Sequence, residues 1–171
     1  MKKIALILTV IFAAAFGASA QKFALVDMEY VLQNIPAYEI ANQQLDQLSQ
    51  RWQKEVDQLS QQAADLYKDY RANMVFLTDD QKKKKEEEIT AKEKETAELR
   101  NKYFGPEGDL FKFRQQLMQP IQDDVYNAVK AVSEERGYQC IFDRASSADI
   151  IFASPRIDIS NEVLAKLGFS K

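Results

Sequence analysis

The chain has 171 residues, carries a net charge of −3 and contains no histidine. The lack of histidine excludes histidine-based catalytic triads and zinc sites, and no G-x-x-x-x-G-K-[ST] loop is present to bind ATP. The mild acidity, without a basic run of five or more residues, argues against nucleic acid as a partner. We therefore predict a non-enzymatic protein that needs no cofactor or metal.

The first twenty residues have the three regions of a secretory signal peptide. Lys2 and Lys3 form a charged start, residues 4–16 are apolar, and Ala18-Ser19-Ala20 is a small-x-small cleavage site. The apolar run is too short to span a bilayer comfortably. We predict cleavage after Ala20 and export across the inner membrane, with the mature chain starting at Gln21.

Glycine and proline divide the rest of the chain. Residues 37–104 contain neither and are rich in Gln, Glu, Lys, Leu and Ala, which predicts long uninterrupted helix. Three short apolar runs read as strands, and a capped periodic run near the end reads as a helix. The strands are predicted at residues 22–27, 138–143 and 149–153, and the closing helix at residues 158–167. Cys140, the single cysteine, lies in the second apolar strand and is predicted to be a buried thiol.

The outgoing helical arm carries a narrow apolar stripe. Its members recur over 33 residues in nine steps, or about 3.67 residues per step, which favours nearly straight packing over a heptad supercoil. A narrow stripe buries against one partner helix. The stripe consists of Ala41, Leu45, Leu48, Trp52, Val56, Leu59, Ala63, Leu66, Tyr70 and Met74.

A turn interrupts the helical region near residues 74–81. Thr78 and Gln81 have the spacing of a capping box, so one helix should end before Thr78 and another begin after it. In the resulting antiparallel hairpin, residues whose numbers add up to about 156 should lie level. Pro36 would then lie opposite Pro120, at a neck where both arms bend, and the break at residues 105–108 would lie beside Trp52.

This pattern predicts a mainly α fold with a small β region assembled from both chain ends. The hairpin arm comprises residues 36–120, and the β-rich body comprises residues 21–35 and 121–171. So few strands make a marginal core with open edges. We therefore expect an obligate homo-oligomer in which strands from several chains form a closed barrel.

Three segments that flank the hairpin carry a recognisable pattern: KFALVDMEYVLQNIPAY, AVSEERGYQCIFD and ADIIFASPRIDISNEVLAKLGF. Together with the charged hairpin they resemble the Skp (OmpH) family of periplasmic chaperones, and GPEGDLF is similar to family versions from Bacteroidetes-like bacteria. The resemblance implies a trimer whose helical arms surround a cavity. It further implies an ATP-independent holdase that keeps outer-membrane β-barrel proteins unfolded and aids their assembly. Well-known members are basic and attract lipopolysaccharide, whereas this chain is acidic, so weaker charge attraction is expected.

Candidate client-binding residues cluster around the predicted tip. Four consecutive apolar residues cannot all face one seam, so they either fold onto the facing helix or form an exposed patch suited to unfolded chains. Surplus aromatic residues extend the set along the arms. The apolar and aromatic candidates are Met74, Val75, Phe76, Leu77, Tyr67, Tyr103, Phe104, Phe111 and Phe113.

Charge and flexibility supply two further sets of candidates. Lys82, Lys83, Lys84 and Lys85 precede three glutamates, and they form either a solvated helix face or a contact for clients, a membrane surface or lipopolysaccharide. Gly105, Pro106 and Gly108 form either a tolerated surface insertion or a hinge. The alternative function is a structural or adaptor coiled coil of the cell envelope, which would prefer one rigid, regular seam.

Overall fold

The structure, a computed structural model, describes residues 22–146 and 150–169. The predicted signal peptide lies outside the described residues. The chain forms two compact units, which we call the hairpin unit, Ile35–Asp123, and the strand unit, which combines the chain up to Asn34 with the chain from Asp124. The molecule is mainly helical with a small strand region, as the sequence predicted.

Two long helices form most of the hairpin unit. Helix α2, Pro36–Asn73, is 38 residues long, about 57 Å at 1.5 Å per residue. Pro36 starts it, as predicted, because the missing N–H of proline is unpaired anyway in a first turn. Helix α3, Asp79–Phe104, follows the short 3₁₀ turn Met74–Phe76.

The predicted seam and register are present in the hairpin unit. Stripe residues of α2 from Ala41 to Tyr70 are buried or half-buried, whereas Met74 is exposed. The Tyr70 hydroxyl donates to Glu86, and the Trp52 ring stacks on Tyr103. These pairs add up to 156 and 155, which matches the expected register.

The return arm is two helices. Helix α3 ends at Phe104, and helix α4, Asp109–Arg136, begins after the Gly105–Gly108 break. Pro120 lies inside α4, which continues past it although the proline removes one helical hydrogen bond. Helix α4 ends at Arg136, and Gly137 follows it with a φ of 72°, a left-handed conformation that glycine adopts without steric cost.

The strand unit contains a parallel two-stranded sheet. Strand β1, Phe23–Val26, pairs with strand β2, Cys140–Asp143, in a register that sets Phe23 beside Cys140 and Val26 beside Asp143. Both strands are shorter than predicted. The unit also contains helix α1, Met28–Gln33, helix α5, Ser160–Lys166, and the part of α4 that begins at Asp124. Its core combines Ala24, Leu25, Val26, Val31, Val125, Ala128, Val132, Ile159, Val163 and Leu164.

Two predictions in this unit were wrong, and helix α1 was not foreseen. Residues 150–153 form no strand, because the second edge of β1 is taken by Asp158 and by the Ile159 N–H, which donates to the Leu25 carbonyl at 2.9 Å. Cys140 is exposed rather than buried. Alternate residues of a strand face opposite sides, so the apolar run around Cys140 cannot be buried on both faces of this small sheet.

Candidate functional site

The tip of the hairpin exposes apolar side chains. In the 3₁₀ turn, Val75 is 78% and Phe76 82% exposed, and Met74 is exposed as well. Leu77 alone is half-buried. The sequence left two alternatives open, folding onto the facing helix or forming an exposed patch. The structure therefore shows the exposed patch. We call Met74, Val75 and Phe76 the tip patch.

The chain fixes the tip patch through the cap that follows it. Thr78 accepts a hydrogen bond from the Gln81 N–H, and the Gln81 side chain accepts one from the Thr78 N–H at 2.9 Å. This reciprocal capping box starts α3 directly after Thr78, as predicted. Because the new helix starts there, the patch is confined to one tight turn that cannot bury three apolar side chains.

Two of the four tip lysines form ion pairs with described residues, and the other two do not. The Lys82 Nζ lies 3.6 Å from an Asp79 carboxylate oxygen and the Lys85 Nζ lies 3.2 Å from one of Glu88, and in both pairs the residues are three positions apart. Lys83 and Lys84 are exposed, and neither forms an ion pair with another residue of the described ranges. Exposed pairs of this kind contribute little to stability. Of the four tip lysines, Lys83 and Lys84 are therefore the ones available to a negatively charged partner.

Tyrosine–glutamate hydrogen bonds join α2 and α3 at two levels. Near the tip, the hydroxyl of Tyr70 on α2 donates to Glu86 on α3. Near the break, the hydroxyl of Tyr103 on α3 donates to Glu55 on α2 at 2.6 Å. The hydrogen-bonded carboxylate is the main cause that raises the pKa of each tyrosine above its ordinary value, since a tyrosinate would face a negative charge.

The predicted aromatic candidates are not equivalent. Tyr67 and Phe111 are exposed, and Phe104 and Phe113 are half-buried. Tyr103 packs against Trp52 with ring centroids 4.6 Å apart and 4° between the planes, and Phe104 meets Tyr103 edge-on. One face of the Tyr103 ring is thus covered by its own chain, so Tyr103 has a structural role in the hairpin.

The break between α3 and α4 is a compact turn. The Gly108 N–H donates to the Gly105 carbonyl at 2.9 Å. A Cβ on Gly108 would lie 2.7 Å from the Tyr103 carbonyl oxygen, and a Cβ on Gly105 would lie 2.4 Å from that of Asn101. Both glycines are therefore required by close backbone approach. Alanine at either position would disturb the turn itself and would not test a hinge.

A polar cluster in the strand unit was not foreseen from the sequence. The Arg144 guanidinium lies 3.0 Å from Asp158 and 3.8 Å from Asp27. The Asp27 N–H donates to the buried Ser160 hydroxyl, which in turn donates to Asp158 at 2.6 Å. The cluster ties the end of β1 to the start of α5. Its sequence signals were Asp27 at the end of the first predicted strand and Asp158 at the start of the predicted closing helix.

Ionised carboxylates are favoured in this cluster. Burial disfavours the charge on Asp158, but hydrogen bonds from Ser160 and the charge of Arg144 outweigh that cost and lower the pKa of Asp158. Burial acts in the same direction on Asp143, and hydrogen bonds from Ser146, Met28 and Ala145 overcome it and lower that pKa too. The strand unit therefore depends on carboxylates that remain charged.

The strand unit also exposes apolar residues. Ile151 is 101% and Phe152 84% exposed, and both lie in the segment that was wrongly predicted to be a strand. Phe23 and Phe142, one on each strand, are about half exposed. Side chains of this type on so small a unit are typical of a surface that another chain covers.

Within residues 22–146 and 150–169, no group of three or more aspartate, glutamate or cysteine side chains is arranged to hold a metal ion. None of the helices described there has both the length and the apolar character needed to cross a bilayer. The exposed patches are the features that suggest a function.

Comparison with known proteins identifies the family. A profile of the family described as "Outer membrane protein (OmpH-like)" matches residues 22–167, which is most of the chain. The chain belongs to the OmpH-like family. The resemblance drawn from the two chain ends and the hairpin is thereby confirmed.

A solved structure supports the same fold. The crystal structure of an OmpH-like protein from Caulobacter crescentus CB15, described as a candidate outer membrane chaperone, matches with a TM-score of 0.68. The match covers 88% of this chain and 86% of that chain, at 13% sequence identity. At this identity the match to the OmpH-like structure shows that the two chains share a fold. It gives no information about what this chain binds. No curated protein matches the chain.

Proposed function

We propose that the chain is an ATP-independent holdase chaperone that binds unfolded outer-membrane β-barrel proteins in the periplasm. The observation that carries this proposal is the tip patch, where Val75 and Phe76 are about four-fifths exposed at the end of a long hairpin. Membership of the OmpH-like family, one of whose solved members is described as a candidate outer membrane chaperone, supports it.

The physical properties of the tip patch suit a client without a fixed shape. An unfolded chain presents apolar side chains in no fixed order, so its holder needs several weak apolar contacts rather than one deep pocket. Methionine and phenylalanine provide adaptable apolar surface at Met74 and Phe76. Exposed Tyr67 and Phe111 add contacts along the arms.

An oligomer would supply many such contacts at once. We infer that strand units of several copies associate through Ile151, Phe152 and the open edge of β2, and the family resemblance implies three copies. Several hairpins would then enclose one client, and their weak contacts would add up through a high effective concentration. Association would also cover apolar side chains that a single copy leaves in water.

Charge has a smaller part in this proposal. The predicted mature chain has a net charge of −5, since the signal peptide removes two lysines from a chain of net charge −3. Attraction at a distance is therefore weak for acidic clients. Exposed Lys83 and Lys84 remain the residues proposed to meet a membrane surface or lipopolysaccharide.

The test is suppression of aggregation. A denatured outer-membrane β-barrel protein is diluted into buffer without nucleotide, and light scattering is followed with and without the chaperone, whose mass is measured in the same buffer. We expect an oligomer that abolishes scattering at a near-stoichiometric ratio. A monomer that leaves scattering unchanged would overturn the proposal.

A further inference from the structure

In the middle of the seam between α2 and α3, small side chains leave space unfilled. At the level where α2 residues 60–67 face α3 residues 93–100, a groove of about 360 Å³ opens on the side of the hairpin. Its lining includes the small residues Ala63, Ala64, Thr96 and Ala97, of which Ala63 and Thr96 are buried. Large side chains fill the seam at the levels of the two tyrosine–glutamate bonds, so the groove is a local packing deficit.

The chain itself does not fill or bridge this groove. The Thr96 hydroxyl donates to the Lys92 carbonyl of its own helix at 2.8 Å, not across the seam. An open space beside alanines loses the dispersion contacts that leucine would provide. The hairpin is therefore less stable here than it could be, which is expected where a site serves binding.

The walls of the groove carry a flat ring and a free cation. Tyr67 on α2 lines it and is half exposed, and Arg100 on α3 lines it from the other helix. Arg100 forms no ion pair with another residue in the described parts of the chain, and the same holds for Glu93, which also lines the groove. A phenol and a guanidinium both stack on flat faces, and an unpaired Arg100 attracts a carboxylate.

The size of the groove limits what it can hold. The eight residues 60–67 of α2 extend about 10 Å, and exposed Asp57 and Arg71 lie about one turn before and one turn after them. A partner helix would need a longer continuous apolar surface on the hairpin to pack against. The volume lies at the low end for ligand pockets, which suits one or two side chains of an extended chain.

We propose that this groove binds a single aromatic side chain of the unfolded client, with Arg100 paired to an acidic neighbour of that side chain. The proposal rests on the proposed holdase function and adds a preference to it. The alanines let a flat ring approach the helices closely, and Tyr67 stacks on it. Outer-membrane barrels carry girdles of aromatic residues, so such segments are frequent in these clients.

Peptide titration tests the preference. The oligomer is labelled with ¹³C in its alanine methyl groups and titrated with the peptide Gly-Ser-Asp-Trp-Ser-Gly or with the same peptide carrying leucine for tryptophan. We expect the tryptophan peptide to shift the Ala64 and Ala97 methyl resonances and to leave those of exposed Ala72 and Ala91 in place. It should bind roughly three- to tenfold more tightly than the leucine peptide. Equal binding of both peptides would overturn the proposal.

Filling the groove supplies the matched variant. Ala97→Leu should weaken binding of the tryptophan peptide roughly three- to tenfold, whereas Ala91→Leu, the same change at an exposed position of α3, should have no effect. Circular dichroism checks that both are folded. If Ala97→Leu is not, Tyr67→Ala replaces it with the same expectation, because Tyr67 is exposed. Unchanged binding in the folded variant contradicts the proposal.

The two proposals fail in different ways. If the wild type suppresses aggregation while the tryptophan peptide leaves Ala64 and Ala97 unshifted, the groove proposal is wrong and the holdase proposal stands. If the peptide binds in the groove but aggregation is not suppressed, the holdase proposal is wrong and the groove is an aromatic site of another function.

Discussion

The indole ring of Trp52 lies face to face with the ring of Tyr103, with 4.6 Å between the centroids. This stack fixes α3 to α2 immediately before the Gly105–Gly108 break, and the Tyr103–Glu55 hydrogen bond fixes the same ring from its hydroxyl. Aromatic packing thus holds α2 and α3 together near the last residue of α3, and Tyr70 holds them together near the tip.

We predict that Tyr103→Ala lowers the melting temperature of the hairpin by roughly 3–8 °C, because it removes the stack and the hydrogen bond together. Tyr103→Phe keeps the stack and should have a smaller effect. Trp52 is the single tryptophan, so its fluorescence reports on this contact during thermal unfolding. Equal melting curves for wild type and Tyr103→Ala would show that the stack is not stabilising.

Alkaline pH should loosen the hairpin. The folded-state pKa of Tyr70 and of Tyr103 is raised, so their contribution to stability is complete below the unfolded value near 10 and is lost as the pH rises through the folded value. Thermal unfolding should show that the melting temperature of the wild type drops between pH 9 and pH 11. The drop should be smaller in Tyr70→Phe/Tyr103→Phe, whereas the exposed control Tyr126→Phe should match wild type. An identical drop in all three would contradict this reading.

Acid should loosen the strand unit. The folded-state pKa of Asp158 is lowered, so its stabilisation is present above the unfolded value of about 3.9 and is lost as the pH falls through the folded value. Calorimetry at pH 7 and pH 3 should show a smaller difference in melting temperature for Asp158→Asn than for wild type. Exposed Asp124→Asn is the control. Arg144→Gln should lower the melting temperature at pH 7, and no change there would remove Arg144 from the account.

Much of the hairpin could be predicted because its signals are local. The stripe that includes Trp52 and Tyr70, together with the Thr78–Gln81 box, gave the helices, the tip and the register. The strand unit depends on residues far apart in sequence, such as Met28 and Asp143, which are 115 positions apart and hydrogen-bonded. No local pattern indicates that Asp158 takes the edge of β1, so residues 150–153 were wrongly predicted to be part of a strand.

The candidate site shows the same division. Apolar Val75 and Phe76 were predicted from their position beside a turn, but their exposure became known only from the geometry of the turn. Tyr103 was predicted to bind clients because it is one of the surplus aromatic residues, and the structure adds its stacking on Trp52 of the facing helix. The groove beside Ala63 was not predicted, since an alanine in a stripe reads as an ordinary seam residue.

The exposed apolar residues of the strand unit should hold the oligomer together. Ile151→Asp/Phe152→Asp places charges where apolar surface is expected to be buried, which disfavours association. Light scattering coupled to size-exclusion chromatography should show a smaller species than wild type. Val75→Asp/Phe76→Asp, the same changes at the tip patch, should keep the wild-type mass. An unchanged mass for the strand-unit variant would place the interface elsewhere.

The central claim is that the tip patch holds unfolded clients, and the affinity of Val75→Ser/Phe76→Ser for an unfolded outer-membrane barrel protein tests it most directly. The matched control is Gln58→Ser/Gln62→Ser, two exposed polar positions of α2. We predict a Kd raised roughly tenfold or more for the tip variant, since each buried apolar side chain contributes about 1.5 kcal/mol or more, and an unchanged Kd for the control. An oligomeric, folded tip variant that binds the client as tightly as wild type would contradict the account.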